Sequence, residues 1–224
     1  MPFTTEKFLH VFELYNNAIW PGQVLAYALG LAVLVMAAYR RELLDRVVCA
    51  VLALAWLWMG IVYHAIYFGA INKAGYIFCA LFVIQAVIFL LAGTARSGIA
   101  FRPRFNVHGA IGGLFILYAM LIYPLLGIAL DHAYPRAPMF GVAPCPTVIF
   151  TLGLLLWTAN GKLPRYVLVI PLIWSAIGFT AAISLGIRED IGLLVAGVVT
   201  LLLLMAAPKE TPASEAGAAA QDAE

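Results

Sequence analysis

Apolar residues occur along this chain in long runs that are separated by short polar segments. A run of about 20 apolar residues has the length of a helix that crosses a bilayer, and we interpret seven runs in this way. The first, fifth and last runs are near the lower length limit for crossing. The pattern predicts an all-α fold, a polytopic membrane helical bundle of about seven transmembrane helices. The approximate bounds are 22–39, 46–69, 74–94, 106–130, 144–160, 165–187 and 190–207.

A different pattern precedes the first run. Phe8, Phe12, Tyr15 and Ile19 follow one another at spacings of four, three and four residues, which places them on one helical face. The polar residues between them fall on other faces. We therefore predict an N-terminal amphipathic helix within residues 1–20 that lies in the headgroup region instead of crossing the membrane.

The bundle itself, residues 21–207, contains a candidate internal repeat. Pro21 precedes Gly30 by nine residues, and Pro144 precedes Gly153 by nine. This spacing suggests three spans, a linking fourth and three more, related as a parallel repeat. The alternative is chance, since such residues are common in spanning helices.

The composition supports a membrane location. The chain is 64% hydrophobic and 11% charged, with a mean hydropathy of +0.99, whereas soluble domains carry about 25% charged residues. The net charge of +2 is too small and too dispersed to indicate a nucleic-acid partner. Residues 208–224 are rich in Ala, Glu, Pro and Ser, and we predict a disordered cytoplasmic tail.

Lysine and arginine are distributed unequally between the two sets of loops. Because cytoplasmic loops carry an excess of these residues, seven spans place the N-terminus outside and the C-terminus in the cytoplasm. The inner side collects nine: Arg40, Arg41, Arg46, Arg96, Arg102, Arg104, Lys162, Arg165 and Lys209. The outer side collects four: Lys7, Lys73, Arg136 and Arg188.

Polar residues that could carry chemistry gather towards the outer side. Cys145 lies between two prolines at the start of a predicted helix, where the helix dipole favours a thiolate. With His64 or His132 nearby, it could bind a soft or borderline metal, or it could form a bridge with Cys79. The alternative is that Cys145 is a small buried hydrophobic residue, and that His64 bonds a neighbouring helix or lines a small wet cavity.

A second group of polar residues recurs within or beside the spans. We interpret them as lining a pathway for an uncharged solute, although hydroxyls in such helices usually bond backbone carbonyls. The candidates are Asn16, Gln85, Thr151, Ser175 and Thr180. The sequence contains no nucleotide-binding glycine loop, zinc-protease motif or serine-hydrolase elbow, so it assigns no catalytic residue and no cofactor.

Two motifs together resemble a known family. These are the run from Tyr15 to Gln23, Tyr-Asn-Asn-Ala-Ile-Trp-Pro-Gly-Gln, and the segment 144–153 with Pro-Cys-Pro-Thr and Phe-Thr-Leu-Gly. Taken together they are similar to an uncharacterised bacterial family of integral membrane proteins, a domain of unknown function whose members are sometimes loosely labelled transporter permeases. The resemblance covers most of residues 5–207 and implies a bacterial inner-membrane location. It supplies no substrate, cofactor or catalytic residue.

Three functional hypotheses follow from these observations. The first is a small permease-like protein, a homodimer in the lipid bilayer, that moves a small neutral solute or a metal species. The second is a membrane protein with an outward-facing thiol or metal site, which serves as an enzyme or an assembly factor. The third is a non-catalytic membrane partner that docks through its N-terminal amphipathic helix.

Overall fold

The computed structural model describes residues 3–39, 41–94, 98–158 and 163–206. In that part of the chain there is no strand, only an isolated bridge between Phe101 and Thr158. The all-α prediction is confirmed. The α-helices are α1 Thr5–Ala18, α2 Gly22–Ala38, α3 Glu42–Trp58, α4 Ala74–Thr94, α5 Val107–Leu117, α6 Tyr123–Ala129, α7 Pro144–Leu156, α8 Tyr166–Leu185 and α9 Ile191–Ala206.

Four helical stretches are long and apolar enough to cross a membrane. They are Glu42–Ala70, Ala74–Thr94, Val107–Ala129 and Tyr166–Leu185. Helices α1 and α2 form a bent pair with an angle of 84° at the break, which makes a fifth candidate if the pair is one span. The three runs predicted to be short form helices that are shorter than any of these four stretches, since α2, α7 and α9 have 17, 13 and 16 residues. Seven crossings stay a prediction, and the predicted tail lies outside the described residues.

Two of the long stretches contain π-helical segments. Helix α3 continues as a π-helical segment over Met59–Tyr67 and a 3-10 turn over Phe68–Ala70. Helices α5 and α6 are joined by a second π-helical segment over Tyr118–Ile122. Such segments are rare and are frequently found at functional sites.

Helix α7 is at the centre of the bundle. Every residue from Pro146 to Leu156 is buried, which is typical of a helix that is apolar on all faces. It packs so closely against α5 that a Cβ atom added at Gly153 would lie only 2.7 Å from the carbonyl oxygen of Gly112. Helix α3 is also joined to α7, through a hydrogen bond of 3.2 Å from Trp56 Nε1 to Thr151 Oγ1. Helix α7 therefore fixes the positions of its neighbours.

One end of the bundle is held by a buried ion pair. The Asp45 carboxylate at the start of α3 accepts hydrogen bonds from the Phe101 backbone N–H at 3.0 Å and from Arg102 at 2.8 Å. The Arg102 backbone N–H donates to the carbonyl of Trp157 at 2.6 Å. These contacts join segments that were predicted to lie on the inner side.

Helix α1 lies across the opposite end. Its N-terminus is capped by Thr4, whose hydroxyl accepts the Lys7 N–H at 3.3 Å. Phe12 and Tyr15 of the predicted apolar face are fully enclosed, while Phe8 and Ile19 are half-buried. Leu9, Val11 and Asn16 are also buried, so the covered face is wider than the sequence pattern indicated.

Candidate solute-binding cavity

A cavity of about 210 Å³ lies beneath α1, among the segments predicted to lie on the outer side. Much of its wall is formed by phenylalanine and tyrosine side chains from α1, from the residue pair before it and from the helices around it: Phe3, Phe8, Phe12, Tyr63, Phe68 and Phe78. Six further lining residues carry polar or reactive groups: His64, Asn72, Cys145, Trp174, Thr180 and Asp190. Small-molecule sites typically combine such an apolar wall with a few placed polar groups.

His64 is the least satisfied of these polar residues. It belongs to the π-helical segment after α3 and is 1% exposed. Within the described residues, neither of its ring nitrogens has a hydrogen-bond partner. Its ring is packed against Phe82 and Trp174, with centroid distances of 4.6 and 4.9 Å. Because an unpaired buried polar group is costly, these nitrogens indicate a place where a ligand would bond.

Cys145 is placed by the proline-rich start of α7. Pro144 is in the first turn, and Ala143 before it has extended backbone angles. The turn is fixed by the Thr147 hydroxyl, which donates to the Ala143 carbonyl at 2.7 Å and accepts the Gly141 N–H at 2.9 Å. Cys145 is half-buried and lines the cavity. It has no disulfide bond, and Cys79 is likewise a free thiol.

Asp190 brings a carboxyl group to the same cavity. It ends a 3-10 turn that follows the left-handed Gly186 at the end of α8. The Tyr123 hydroxyl donates to Asp190 Oδ1 at 2.5 Å, and the Cys145 thiol interacts with the same carboxyl. Burial is the main reason that the pKa of Asp190 is raised to about 7.

A second carboxyl, that of Glu189, lies beside the cavity but does not line it. Glu189 Oε1 is 3.2 Å from Nδ1 of His132, and its Oε2 has no partner among the described atoms. The Glu189 carbonyl accepts the Tyr118 hydroxyl at 2.7 Å. His132 therefore contacts Glu189 instead of lining the cavity with His64 and Cys145.

The three candidate metal ligands are thus divided between two places. His64 and Cys145 share the cavity, and His132 lies at Glu189. Across the residues that the structure describes, no group of three or more His, Cys, Asp or Glu side chains is arranged to hold a metal ion.

Of the five candidate pathway residues, only Thr180 lines the cavity. The Thr180 and Ser175 hydroxyls bond carbonyls of their own helix, and Thr151 bonds the Thr147 carbonyl. Gln85 donates to the Val167 carbonyl at 3.1 Å. Asn16 bonds the loop before α7 instead, through the carbonyls of Pro135 and Ala137.

Helix α1 is held over the cavity by polar contacts at both of its ends. Asn16 donates to the carbonyls of Pro135 and Ala137 at 2.6 and 2.8 Å. At the other end, the Thr5 hydroxyl donates to the Leu185 carbonyl at 3.0 Å. The apolar face of α1 is covered by its own chain, and α1 forms the outer wall of the cavity.

A second cavity, of about 240 Å³, lies between α2, α3 and α7. Its lining is almost wholly apolar, with residues such as Leu25, Leu52 and Phe150. It offers few groups that could orient a ligand, so the cavity beneath α1 is the better candidate site.

The sequence placed Asp190 among the polar residues towards the outer side, but it assigned no site role to Asp190 or to its partner Tyr123. The acidic pair at positions 189 and 190 was visible between two apolar runs, where a charged residue is expected to face water. The signal that could have found the site is this acidic pair beside a short turn, together with a histidine inside an apolar run.

Comparison with known proteins gives a family and no function. Residues 5–214 match a family described as a family of unknown function (DUF6064). No curated protein and no solved structure matches the chain.

Proposed function

The chain belongs to DUF6064, a family of unknown function, and we propose that it is an integral membrane protein that binds a small solute beneath α1. We further propose that binding serves permease-like passage of the solute. Four long apolar helical stretches support the membrane location. The loop charges support a cell-membrane orientation with the N-terminus outside.

The observation that carries this proposal is His64. Both of its ring nitrogens are buried in the wall of the cavity and have no hydrogen-bond partner among the described residues. A neutral imidazole has one donor and one acceptor, so a small polar solute can satisfy both. At about 210 Å³, the space is smaller than the roughly 300–1,000 Å³ of sites for drug-sized ligands, which favours a solute of few atoms.

Binding by the purified full chain tests the proposal. A panel of small alcohols, amides and amines is titrated calorimetrically against the protein in lipid nanodiscs. We expect at least one compound to bind, and we expect His64→Leu to weaken that binding about tenfold, as for the loss of a buried hydrogen bond to a ligand. Thr200→Val is the matched control, because Thr200 Oγ1 is also buried with no hydrogen-bond partner in the described part of the chain, but it does not line the cavity.

The permease part is tested separately with proteoliposomes. A solute that binds in the cavity should be taken up faster by vesicles that contain the protein than by empty vesicles, and His64→Leu should reduce the difference at solute concentrations below saturation. Binding without uptake would refute the transport function and leave the binding site in place.

Cys145 supports a second candidate function, in which the cavity carries thiol chemistry. Its thiol lines the cavity and interacts with the Asp190 carboxyl. This function predicts that Cys145→Ser abolishes the protein's effect on a bound solute, including its uptake, while preserving solute binding. If Cys145→Ser retains full uptake, the thiol has no chemical role in it.

A further inference from the structure

The cavity contains a buried acid, Asp190, for which the described residues supply no cationic ion-pair partner. Asp190 is 4% exposed, and among the described residues no lysine, arginine or histidine forms an ion pair with it. Its polar neighbours are Tyr123, which donates to Oδ1, and the Cys145 thiol. The adjacent Glu189 is acidic as well, and its own ion-pair partner is His132. A buried carboxylate is stable only when a positive group or hydrogen-bond donors offset the loss of water.

Aromatic rings form the rest of the wall. Tyr63, Phe68, Phe78 and Trp174 line the cavity around His64. They form a connected cluster, in which Trp174 lies 5.2 Å from Phe78 and 4.9 Å from His64 between ring centroids. The faces of such rings attract cations, and cages of aromatic rings recognise ammonium groups.

His64 supplies the third component. Neither ring nitrogen has a hydrogen-bond partner in the part of the chain that the structure describes. A neutral imidazole offers an acceptor nitrogen in addition to a donor, and an N–H group of a ligand is a suitable partner for that acceptor. An acid, an imidazole acceptor and aromatic faces thus surround one small space.

We propose that the solute bound in this cavity is a small alkylammonium ion, with Asp190 as its counter-ion and the aromatic side chains around its alkyl groups. This inference rests on the proposed function, since it assigns a chemical class to the solute of that same cavity. The ammonium N–H donates to the Asp190 carboxylate or to His64, and the compact alkyl part fits the apolar wall.

A matched pair of probes tests the charge. Trimethylammonium and tert-butanol have similar size and shape, but only the first is a cation. Each is titrated into the full chain in nanodiscs by calorimetry at pH 8. We expect trimethylammonium to bind at least about tenfold more tightly than tert-butanol, as for a charge-assisted hydrogen bond.

Two isosteric variants locate the charge. Asp190→Asn should weaken trimethylammonium binding about tenfold and leave tert-butanol binding unchanged. Glu189→Gln is the control. It replaces a carboxyl group by an amide at the neighbouring position, and the Glu189 side chain does not line the cavity. It should change the affinity by less than about threefold.

The outcomes separate this inference from the proposed function. Equal binding of the two probes, or an unchanged affinity in Asp190→Asn with a native thermal transition, overturns the ammonium inference while solute binding stands. If neither probe binds but a neutral compound binds in a His64-dependent manner, the ammonium inference again fails alone. If nothing binds, both fail.

Discussion

The substitution His64→Phe should make the ligand-free protein more stable, although it removes a residue of the candidate site. Each unpaired buried polar group costs about 1–3 kcal/mol, and His64 has two such ring nitrogens. A phenyl ring preserves the aromatic contacts with Phe82 and Trp174 and requires extra volume, which costs about 1–3 kcal/mol in a tightly packed site. The adjacent cavity relieves part of that cost. The expected net gain is about 1–3 kcal/mol.

Thermal unfolding of the purified protein measures this effect. A gain of 1 kcal/mol corresponds to a rise of about 2–4 °C in Tm for a chain of this size. The same variant should lose solute binding, as expected where a binding site is maintained at the expense of stability. A fall in Tm of several degrees would refute the reasoning, because it would mean that the His64 nitrogens have stabilising partners within the protein.

Three further predictions concern packing, the α1 cover and pH. Gly153→Ala should destabilise the bundle by about 1–3 kcal/mol, because the new Cβ would lie 2.7 Å from the Gly112 carbonyl oxygen, whereas Gly113→Ala, 3.9 Å from its nearest neighbour, should be tolerated in the same unfolding assay. Asn16→Ala removes two hydrogen bonds to loop carbonyls and should speed proteolysis within α1; unchanged proteolysis would contradict the proposed anchoring. Asp190 has a folded-state pKa of about 7 against an ordinary 3.8, so the folded state retains a proton that the unfolded state loses. Stability should therefore fall by up to about 1.4 kcal/mol per pH unit between pH 4 and 7 and then level off; denaturant unfolding should show no such fall in Asp190→Asn.

The helices could be predicted from the sequence because their ends are marked by residues that stop or start a helix. The run predicted to begin at Pro144 does begin there, since proline suits the first turn. The predicted 74–94 run coincides with Ala74–Thr94. The second run was predicted at 46–69, but the helix begins at Glu42, because acidic residues are favourable in a first helical turn.

The cavity could not be predicted in the same way, because it depends on segments far apart in the chain. Periodicity indicated that α1 has an apolar face but not that this face is covered by Tyr63 and the loop before α7. His64 lies in a π-helical segment, in which the regular spacing of an α-helix no longer identifies the buried face. The burial of Asp190 likewise follows from contacts with Tyr123, 67 residues away.

The internal repeat and the number of crossings depend on relations that sequence spacing alone leaves open. The Pro21–Gly30 and Pro144–Gly153 spacings are equal, yet the two helices have different surroundings. Helix α7 is enclosed over nearly its whole length, whereas only four residues of α2 are buried. The parallel repeat stays a prediction.

The measurement that tests the cavity most directly is the rate at which a small neutral thiol reagent modifies Cys145, with and without a bound solute. Cys145 lines the cavity and Cys79 does not, so Cys79 is an internal control in the same molecule. Mass spectrometry of digested protein gives both rates. We predict that a saturating solute slows modification of Cys145 about tenfold or more, in proportion to the occupied fraction, and leaves Cys79 unchanged. Equal rates at Cys145 with and without a solute that is known to bind would contradict the account.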